Sequence, residues 1–356
     1  MTSRTWPVLR QRLLQFILRF LVGVGFLRAV LSVVERWELK TGVNRRLTFP
    51  YVRRQRKPKF EILRYHRVND ENDPIFGAVP VKMFQKQMEL LSKYFNVLPL
   101  EELVERTLHR DIPPAAVAIT FDDGYRDNYE NSFHILKRLG LPATIFLATG
   151  PLDSGAPLWH DLVFEAFRMT NAEFVSVDGR NYPLKTAVQK GTALFAFREY
   201  LRMYDYRSWG NLIEQLISKL GVLPASMSNR AQKLSWDEIE EMSKNAITFG
   251  AHTVNHPILT RMSLAEAADE IKASKEAIEE KLKSPVRVFA YPNGRQDDFN
   301  ESIKQVLKEA GFLCATTILW GTNSIDTDPF ELRRIGIWDT DTNRYALKLG
   351  WYKFVS

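Results

Sequence analysis

Two adjacent carboxylates at the end of an apolar run are the residues of this sequence best suited to chemistry. Residues 117–121 read Val-Ala-Ile-Thr-Phe, which predicts a buried strand, and Asp122, Asp123 and Gly124 follow directly. Successive side chains of a strand point to opposite faces, so the two acids can serve different tasks. Two acids at the mouth of a parallel strand are costly to bury unless a metal ion or a proton transfer uses them.

A histidine pair far downstream offers matching metal ligands. Residues 246–251 form a strand-like run, and His252 and His256 follow it, four positions apart. On a turn or a short helix such residues lie on one side and can share a metal ion. The acidic pair and the histidine pair together predict an Asp-His-His metal site with a second aspartate left over.

This combination of motifs resembles the polysaccharide deacetylase family, also called the NodB-homology or carbohydrate esterase family 4 fold. The matching stretches are Thr-Phe-Asp-Asp-Gly at 120–124, His-Thr-x-x-His at 252–256 and Phe-Ala-Tyr-Pro-Asn-Gly at 289–294. Many members carry a last motif, Leu-x-x-His, but no histidine follows His256. Leu-Arg-Tyr-His at 63–66 supplies that spacing earlier in the chain. This order is similar to the circularly permuted subgroup typified by poly-N-acetylglucosamine deacetylases.

The resemblance implies an α/β fold of the distorted (β/α)7 barrel type and removal of an acetyl group from an N-acetylated amino sugar. Asp123, His252 and His256 would hold one divalent metal ion, with positions left open for water and substrate. Asp122 would be the general base for a metal-activated water, and His66 the general acid for the departing amine. Zinc is the favoured metal, although Fe, Co, Ni or Mn also suits these ligands.

Further residues are candidates for binding the oxyanion or the substrate. The backbone amide of Tyr125 follows a turn-forming glycine and could help to hold the oxyanion. Three polar or aromatic residues open a predicted insertion, and three arginines follow later in the chain. These six substrate-binding candidates are Trp159, His160, Asp161, Arg295, Arg333 and Arg334. The two adjacent arginines could bind a phosphate on a lipid-linked sugar, whereas local structure or solvent exposure is the competing interpretation for all six.

The order of secondary-structure patterns predicts one barrel with additions. Strand and helix patterns alternate over about residues 60–340, which favours a parallel barrel. The alternation breaks over residues 151–235, where an Asp-Gly turn at 178–179 predicts a hairpin and helical patterns follow. We expect this inserted subdomain to shape the substrate site, with a purely structural excursion as the alternative.

Composition separates the N-terminal part from the rest of the chain. Residues 1–60 hold 14 Lys or Arg against two Glu, a balance of +12, although the whole chain of 356 residues carries only +7. The remaining 296 residues therefore sum to −5. The single cysteine, Cys314, excludes an internal disulfide framework. Residues 41–59 form a basic linker, and residues 341–356 form a basic, aromatic tail that could contact a membrane.

The first 40 residues predict a helical segment that lies in a membrane interface. Residues 13–34 are almost wholly apolar, but two arginines interrupt them, and a central arginine costs about 2.5–3.5 kcal/mol on insertion scales. No small-residue cleavage site follows, so a removable signal peptide is not expected. The predicted membrane-contacting residues are Arg12, Phe16, Arg19, Phe20, Phe26 and Arg28. The alternatives are a helix packed on the protein's own barrel and, less favoured, a nucleic-acid-binding segment.

The sequence therefore predicts a monotopic, membrane-associated N-deacetylase at the cytoplasmic face of the inner membrane. Its partners would be a lipid-linked or polymeric N-acetylhexosamine glycan and an anionic membrane surface, without nucleic acid. One alternative is a deformylase or another amide hydrolase on a lipid-linked aminosugar. Another is a catalytically inactive glycan-binding module.

Overall fold

The computed structural model describes residues 58–338, apart from 74, 76 and 223–230, together with 345, 348 and 349. The chain divides into two units, Met1–Arg56 and Lys57–Ser356, and every described residue belongs to the second. The predicted interfacial segment 1–40 and nearly all of the basic linker lie outside the described residues. Within the part of the chain that is described, no helix has both the length and the apolar character required to cross a membrane.

A mostly parallel sheet forms the centre of the fold. The strands are β1 (Lys59–Tyr65), β2 (Asn96–Val97), β3 (Ala116–Phe121), β4 (Ala143–Leu147), β5 (Phe174–Val177), β6 (Arg180–Pro183), β7 (Ile247–Ala251), β8 (Val288–Ala290), β9 (Cys314–Thr316), β10 (Asn323–Ser324) and β11 (Ile335–Gly336). Strands β1, β3, β4, β7, β8 and β9 pair in that order and run parallel. The α/β class and the parallel sheet agree with the sequence prediction.

The last strand returns the chain to the first. Strand β11 pairs with β1 in parallel, at Leu63 and Ile335, and Leu332 just before it bridges Thr316 of β9. The segment 332–336 therefore links the two ends of the strand series. Because β1 lies between β3 and β11, the Leu-x-x-His stretch at the start of the barrel ends beside the Asp-Asp strand.

Helices cover the outside of this sheet. They are α1 (Val81–Tyr94), α2 (Leu100–Leu108), α3 (His134–Leu139), α4 (Gly150–Ser154), α5 (Trp159–Met169), α6 (Ala187–Leu201), α7 (Trp209–Leu220), α8 (Trp236–Ser243), α9 (Leu264–Leu282) and α10 (Glu301–Glu309). A capping box of Ser263 and Glu266 begins α9, and the buried face of this helix includes Ile271 and Ile278. Strands β3 and β4 are buried along their whole length, as their apolar runs require.

Most of a second hydrophobic cluster, which also includes Ile258, comes from the chain between β4 and β7. This segment contains the predicted hairpin β5–β6 and helices α4 to α8. Phe167 on α5, Phe197 on α6 and Trp209 on α7 are buried in this cluster. Residues from α5 and α6 also line the cavity above the strand ends, so this helical segment contributes directly to the site described below.

One sequence expectation about the C-terminal tail is wrong for its described residues. Tyr345 and Leu349 are buried in the main hydrophobic core, and the Tyr65 hydroxyl donates to the Tyr345 hydroxyl at 3.4 Å. These two side chains are therefore not available to contact a membrane. A short apolar pattern looks the same whether it faces lipid or the protein's own core.

Candidate metal and catalytic centre

The carboxyl ends of the parallel strands bring the five predicted catalytic and metal-binding residues to one cavity. Asp122 and Asp123 follow β3, His252 follows β7 with His256 shortly after, and His66 follows β1. All five line a cavity of about 440 Å³. Parallel strands present their carboxyl ends at one edge of a sheet, which explains why distant motifs meet here.

Asp123, His252 and His256 form a compact set of metal donors. Their donor atoms lie within 4.8 Å of one another, and Oδ1 of Asp123 is 3.4 Å from Nε2 of each histidine. That buried oxygen makes no hydrogen bond within the described part of the chain. The His252 Nδ1 donates to the carbonyl of Ala290 at 2.7 Å, so the lone pair of Nε2 faces Asp123. An unsatisfied carboxylate oxygen beside two imidazoles fits a divalent cation.

Burial keeps the donor His256 in the form that binds metals. Burial lowers the pKa of His256 to about 3, so its imidazole is neutral at physiological pH. Burial alone would raise the pKa of Asp123, but the imidazoles of His252 and His160 hold it well below the usual value. A carboxylate with neutral imidazoles is the protonation state that metal binding needs.

The backbone at the donors adopts conformations that most residues avoid. Asp123 has φ +70° and His256 has φ +56°, both in the left-handed region. Gly124 has φ +63°, and a Cβ there would lie 2.8 Å from Cδ2 of Leu147, so any other residue would be strained and would crowd Leu147. Such conformations persist where surrounding contacts enforce them, often at functional sites.

A buried arginine holds Asp122 in a bidentate pair. Nη1 and Nη2 of Arg334 donate to the two carboxylate oxygens at 2.6 and 2.8 Å, and its Nε donates to the carbonyl of Thr317. The arginine is only 1% exposed. Burial alone would raise the pKa of Asp122, but Arg334, with His66 and His252, lowers it to about 2. The carboxylate is therefore ionised and fixed in orientation, as a general base must be.

His66 faces the same carboxylate from β1. Its Nε2 is 3.8 Å from Oδ2 of Asp122, and its ring stacks on Trp338 with centroids 5.5 Å apart. Burial lowers the pKa of His66 to about 4. The side chain of Asn128 donates to the His66 carbonyl at 2.9 Å and fixes the strand end. A neutral imidazole beside a carboxylate can receive a proton and pass it on.

The phosphate-binding prediction for Arg334 is wrong, and the other two predicted arginines differ in their position relative to the cavity. Both terminal nitrogens of Arg334 are engaged by Asp122 in the interior, so none is offered to a phosphate. Arg333 is exposed and does not line the cavity. Arg295 lines the cavity but binds the carboxylate of Glu199 through two nitrogens, at 2.8 and 2.6 Å.

Residues 159–161 form the predicted cluster at the start of α5, and most of their contacts are with other residues of the site and not with the cavity. Trp159 Nε1 donates to the carbonyl of His256 at 2.8 Å. Asp161 accepts from the Tyr125 hydroxyl at 2.7 Å and pairs with Lys233 at 3.0 Å. Of the predicted trio, His160 alone lines the cavity, with Nε2 3.7 Å from Oδ2 of Asp123. Direct substrate contact is therefore wrong for Trp159 and Asp161, because both side chains are buried against protein.

Sequence reasoning missed several partners of the catalytic residues. It did not link Arg334, which directly precedes β11, to Asp122. It also missed Lys233 beneath the Tyr125 ring, 3.3 Å from the centroid, and the buried pair of Arg67 with Asp127 at 2.9 Å. None of these pairs has a fixed spacing in sequence that would reveal it.

The fold and site together define an α/β protein in which three possible metal donors lie beside an arginine-held carboxylate. The sequence profile described as "Polysaccharide deacetylase" matches residues 109–175 and 189–315, more than half of the chain. The chain belongs to this family, also called the NodB-homology family or carbohydrate esterase family 4. Membership supports hydrolysis of amide bonds and N-deacetylation of a glycan.

Individual relatives agree with this assignment. The chain is 21% identical over 292 residues to YxkH of Bacillus subtilis (strain 168), by its name also in the polysaccharide deacetylase class. The match covers 82% of this chain and 75% of that protein. The Streptococcus pyogenes deacetylase PplD in complex with acetate has a TM-score of 0.58 and 20% identity, over 83% of this chain and 99% of that one. IcaB from Ammonifex degensii has a TM-score of 0.54 and 17% identity, and the match covers 83% of this chain and 97% of that one. At such identities the solved structures support the fold.

Proposed function

We propose that this protein is a metal-dependent N-deacetylase acting on an N-acetylated amino sugar in a membrane-presented glycan, such as a lipid-linked one. The observation that carries the catalytic part is the position of Asp122. Arg334 holds this carboxylate, ionised, next to the donor set of Asp123, His252 and His256. A base beside an open metal site is what amide hydrolysis by water requires.

The three donors would hold one divalent ion, with zinc favoured and Fe, Co, Ni or Mn also suited. When bound, the ion supplies Lewis acidity, which makes water a stronger acid and an amide carbonyl a better electrophile. The protein supplies the remaining chemistry. Nε2 of His252 stays free for the ion because Nδ1 of the same ring is bonded to the carbonyl of Ala290.

Proton transfer falls to Asp122 and His66. Asp122 takes the proton of the attacking water, and Arg334 prevents the carboxylate from rotating away. His66, 3.8 Å from Asp122, receives that proton from Asp122 and delivers it to the amide nitrogen as the bond from that nitrogen to the acetyl carbon breaks. The products are acetate and the free amine of the sugar. The backbone amide of Tyr125 remains the proposed partner of the oxyanion.

The walls of the cavity suit a sugar ring. Phe195, on α6, and Trp338 line the cavity and remain 59% and 50% exposed. Exposed aromatic faces beside polar groups fit the apolar faces and hydroxyls of a hexosamine. Trp338 also stacks on His66, so a sugar at this wall would lie next to the proposed acid.

The membrane part of the proposal is supported by the sequence of residues 1–60. The apolar run at 13–34 is embedded in a segment with a balance of +12, and the basic residues suit an anionic leaflet. The basic flanks favour the cytoplasmic face of the inner membrane, because positive loops stay inside. Deleting residues 1–40 is expected to release the protein from vesicles containing anionic lipid. Equal sedimentation of both forms with these vesicles would contradict the anchor.

Acetate release tests the catalytic part. Metal-free full-length protein is mixed with N-acetylglucosamine oligomers, with and without one equivalent of zinc, and acetate and formate are measured. We expect acetate, and no formate, from the zinc-loaded protein. Absence of acetate from any N-acetylated glycan, across all five metals, would overturn the proposal, and formate from a formylated sugar would favour the deformylase alternative.

A further inference from the structure

Two arginines line the cavity without an ion pair among the described residues. Arg64 on β1 and Arg198 on α6 both line it. The Nε atom of each is buried and has no hydrogen-bond partner within the described ranges. The other two arginines nearby, Arg334 and Arg295, each bind a carboxylate of this chain. An unpaired guanidinium that is partly withdrawn from water is costly, so the arrangement favours an anion from outside the protein.

Arg198 is held in place without being neutralised. Its Nη2 donates to Oδ1 of Asn293 at 3.3 Å, and its guanidinium lies 5.5 Å from the centre of the Phe164 ring. Both contacts orient the group, but neither carries a full negative charge. Burial, and then the nearby charge of Arg295, lower the pKa of Arg198, as expected for a buried cation that forms no direct ion pair among the described residues.

Arg64 occupies a space that a glycine leaves open. A Cβ on Gly336 of β11 would lie 3.0 Å from Nη2 of Arg64 and 3.2 Å from Nε1 of Trp338. The guanidinium thus rests against the backbone of the closing strand, next to the aromatic wall. Arg64 is also two residues before His66, so its side chain belongs to the catalytic end of β1. Burial, followed by the charge of Arg334, lowers the pKa of Arg64 to about 10.

We propose that Arg64 and Arg198 bind an anionic group of the glycan, a phosphate or a carboxylate. The substrate is then an acidic N-acetylated glycan, and a neutral oligomer is a poor one. This inference rests on the proposed function and specifies its substrate class. A guanidinium matches both oxyanions through its planar fork of donors. A divalent ion beside Asp123 would make the cavity still more positive, which strengthens the preference.

The test compares neutral and charged substrates of equal length. The zinc-loaded full-length protein is given an N-acetylglucosamine tetramer, the same tetramer with a phosphodiester at its reducing end, and an oligosaccharide alternating N-acetylglucosamine with glucuronate. Acetate release gives kcat and KM for each. We expect KM for a charged substrate to be roughly 10- to 100-fold lower than for the neutral tetramer, the range for losing a hydrogen bond to a charged group. Whichever charged substrate is preferred identifies the anion.

Variants then show which residues cause the preference for a charged substrate. Arg198→Gln and Arg64→Gln are each expected to remove most of it by raising KM for the charged substrate. Arg106→Gln is the matched control, because Arg106 lies on the outer helix α2 and is bonded to Glu102. It should keep the wild-type preference. If Arg198→Gln does not fold, Arg198→Lys retains the charge without the fork and should give an intermediate KM.

The outcomes separate this inference from the proposed function. Equal KM for neutral and charged substrates in the wild type overturns the inference while leaving the deacetylase standing, as does an Arg198→Gln variant with an undiminished preference. If the wild type releases no acetate from any substrate, calorimetry with N-acetylglucosamine 1-phosphate still decides the anion site. Binding that weakens at least tenfold in Arg198→Gln supports it, and binding of equal strength to both proteins overturns it.

Discussion

Asp122 at the strand ends and Arg198 on the helical segment between β4 and β7 contribute charge to the cavity in opposite ways. At the strand ends, the carboxylate of Asp122 is locked to Arg334 by two hydrogen bonds in the interior. On the helical segment, Arg198 is oriented by Asn293 and Phe164 and has no acid bound to it within the described chain. In this account, the carboxylate that transfers protons already has its ion-pair partner within the protein. The arginine proposed for substrate recognition has none, so a ligand would supply the opposite charge.

Removing the base should have the largest effect. Asp122→Asn abolishes proton acceptance but keeps the shape, so we expect turnover to fall by about 10³-fold while metal content stays unchanged. Acetate release and elemental analysis measure the two quantities. Asp111→Asn, at an exposed position, is the control and should behave as the wild type. Turnover of Asp122→Asn within tenfold of the wild type would contradict the role of Asp122.

Weakening the ion pair between Arg334 and Asp122 should have the next largest effect. Arg334→Lys replaces a bidentate fork by a single charged group, so Asp122 can rotate. We expect kcat to fall by about 10²-fold with little change in KM, and the free energy of unfolding to fall by up to about 3 kcal/mol. Kinetics and urea denaturation measure these changes. Arg333→Lys, at the exposed neighbouring position, should leave both unchanged. A pure rise in KM in Arg334→Lys would instead mean that Arg334 touches the substrate.

The smallest effect is expected for the paired arginine at the rim. Arg295 is 39% exposed and already bound to Glu199, so Arg295→Gln removes a partly exposed ion pair. Such pairs contribute roughly 0–1 kcal/mol, and we expect KM for a charged glycan to change by less than about threefold. Measuring the steady-state kinetics of Arg295→Gln and Arg198→Gln side by side makes the comparison direct. A tenfold change would return Arg295 to the substrate-binding residues that the sequence suggested.

Sequence alone predicted the parts of the site that are local. The apolar run before Asp122 and the four-residue spacing of His252 and His256 both carry their signal within a few positions. The structure brings these residues to one cavity because parallel strands end at one edge. The hairpin at 174–183 was visible for the same reason, in its Asp-Gly turn.

Long-range pairs were beyond such reasoning. Asp122 and Arg334 are 212 positions apart, and only the return of β11 beside β1 brings them together. The surroundings of Tyr345 and Leu349 depend likewise on tertiary packing, so a short aromatic pattern could not distinguish core from membrane contact. The partner of a buried charged residue, and the side on which a short segment packs, depend on how the whole sheet folds. A short stretch of sequence does not contain that information.

Zinc binding tests most directly the claim that Asp123, His252 and His256 hold the ion on which hydrolysis depends. Metal-free full-length protein is titrated with zinc against a chromophoric chelator, while acetate release is followed in parallel. We predict one equivalent per chain for the wild type and for Asp122→Asn, with wild-type activity rising in step with occupancy, and at least about tenfold weaker binding for Asp123→Asn. Full acetate release without any metal, or equally tight zinc binding by Asp123→Asn, would contradict the account.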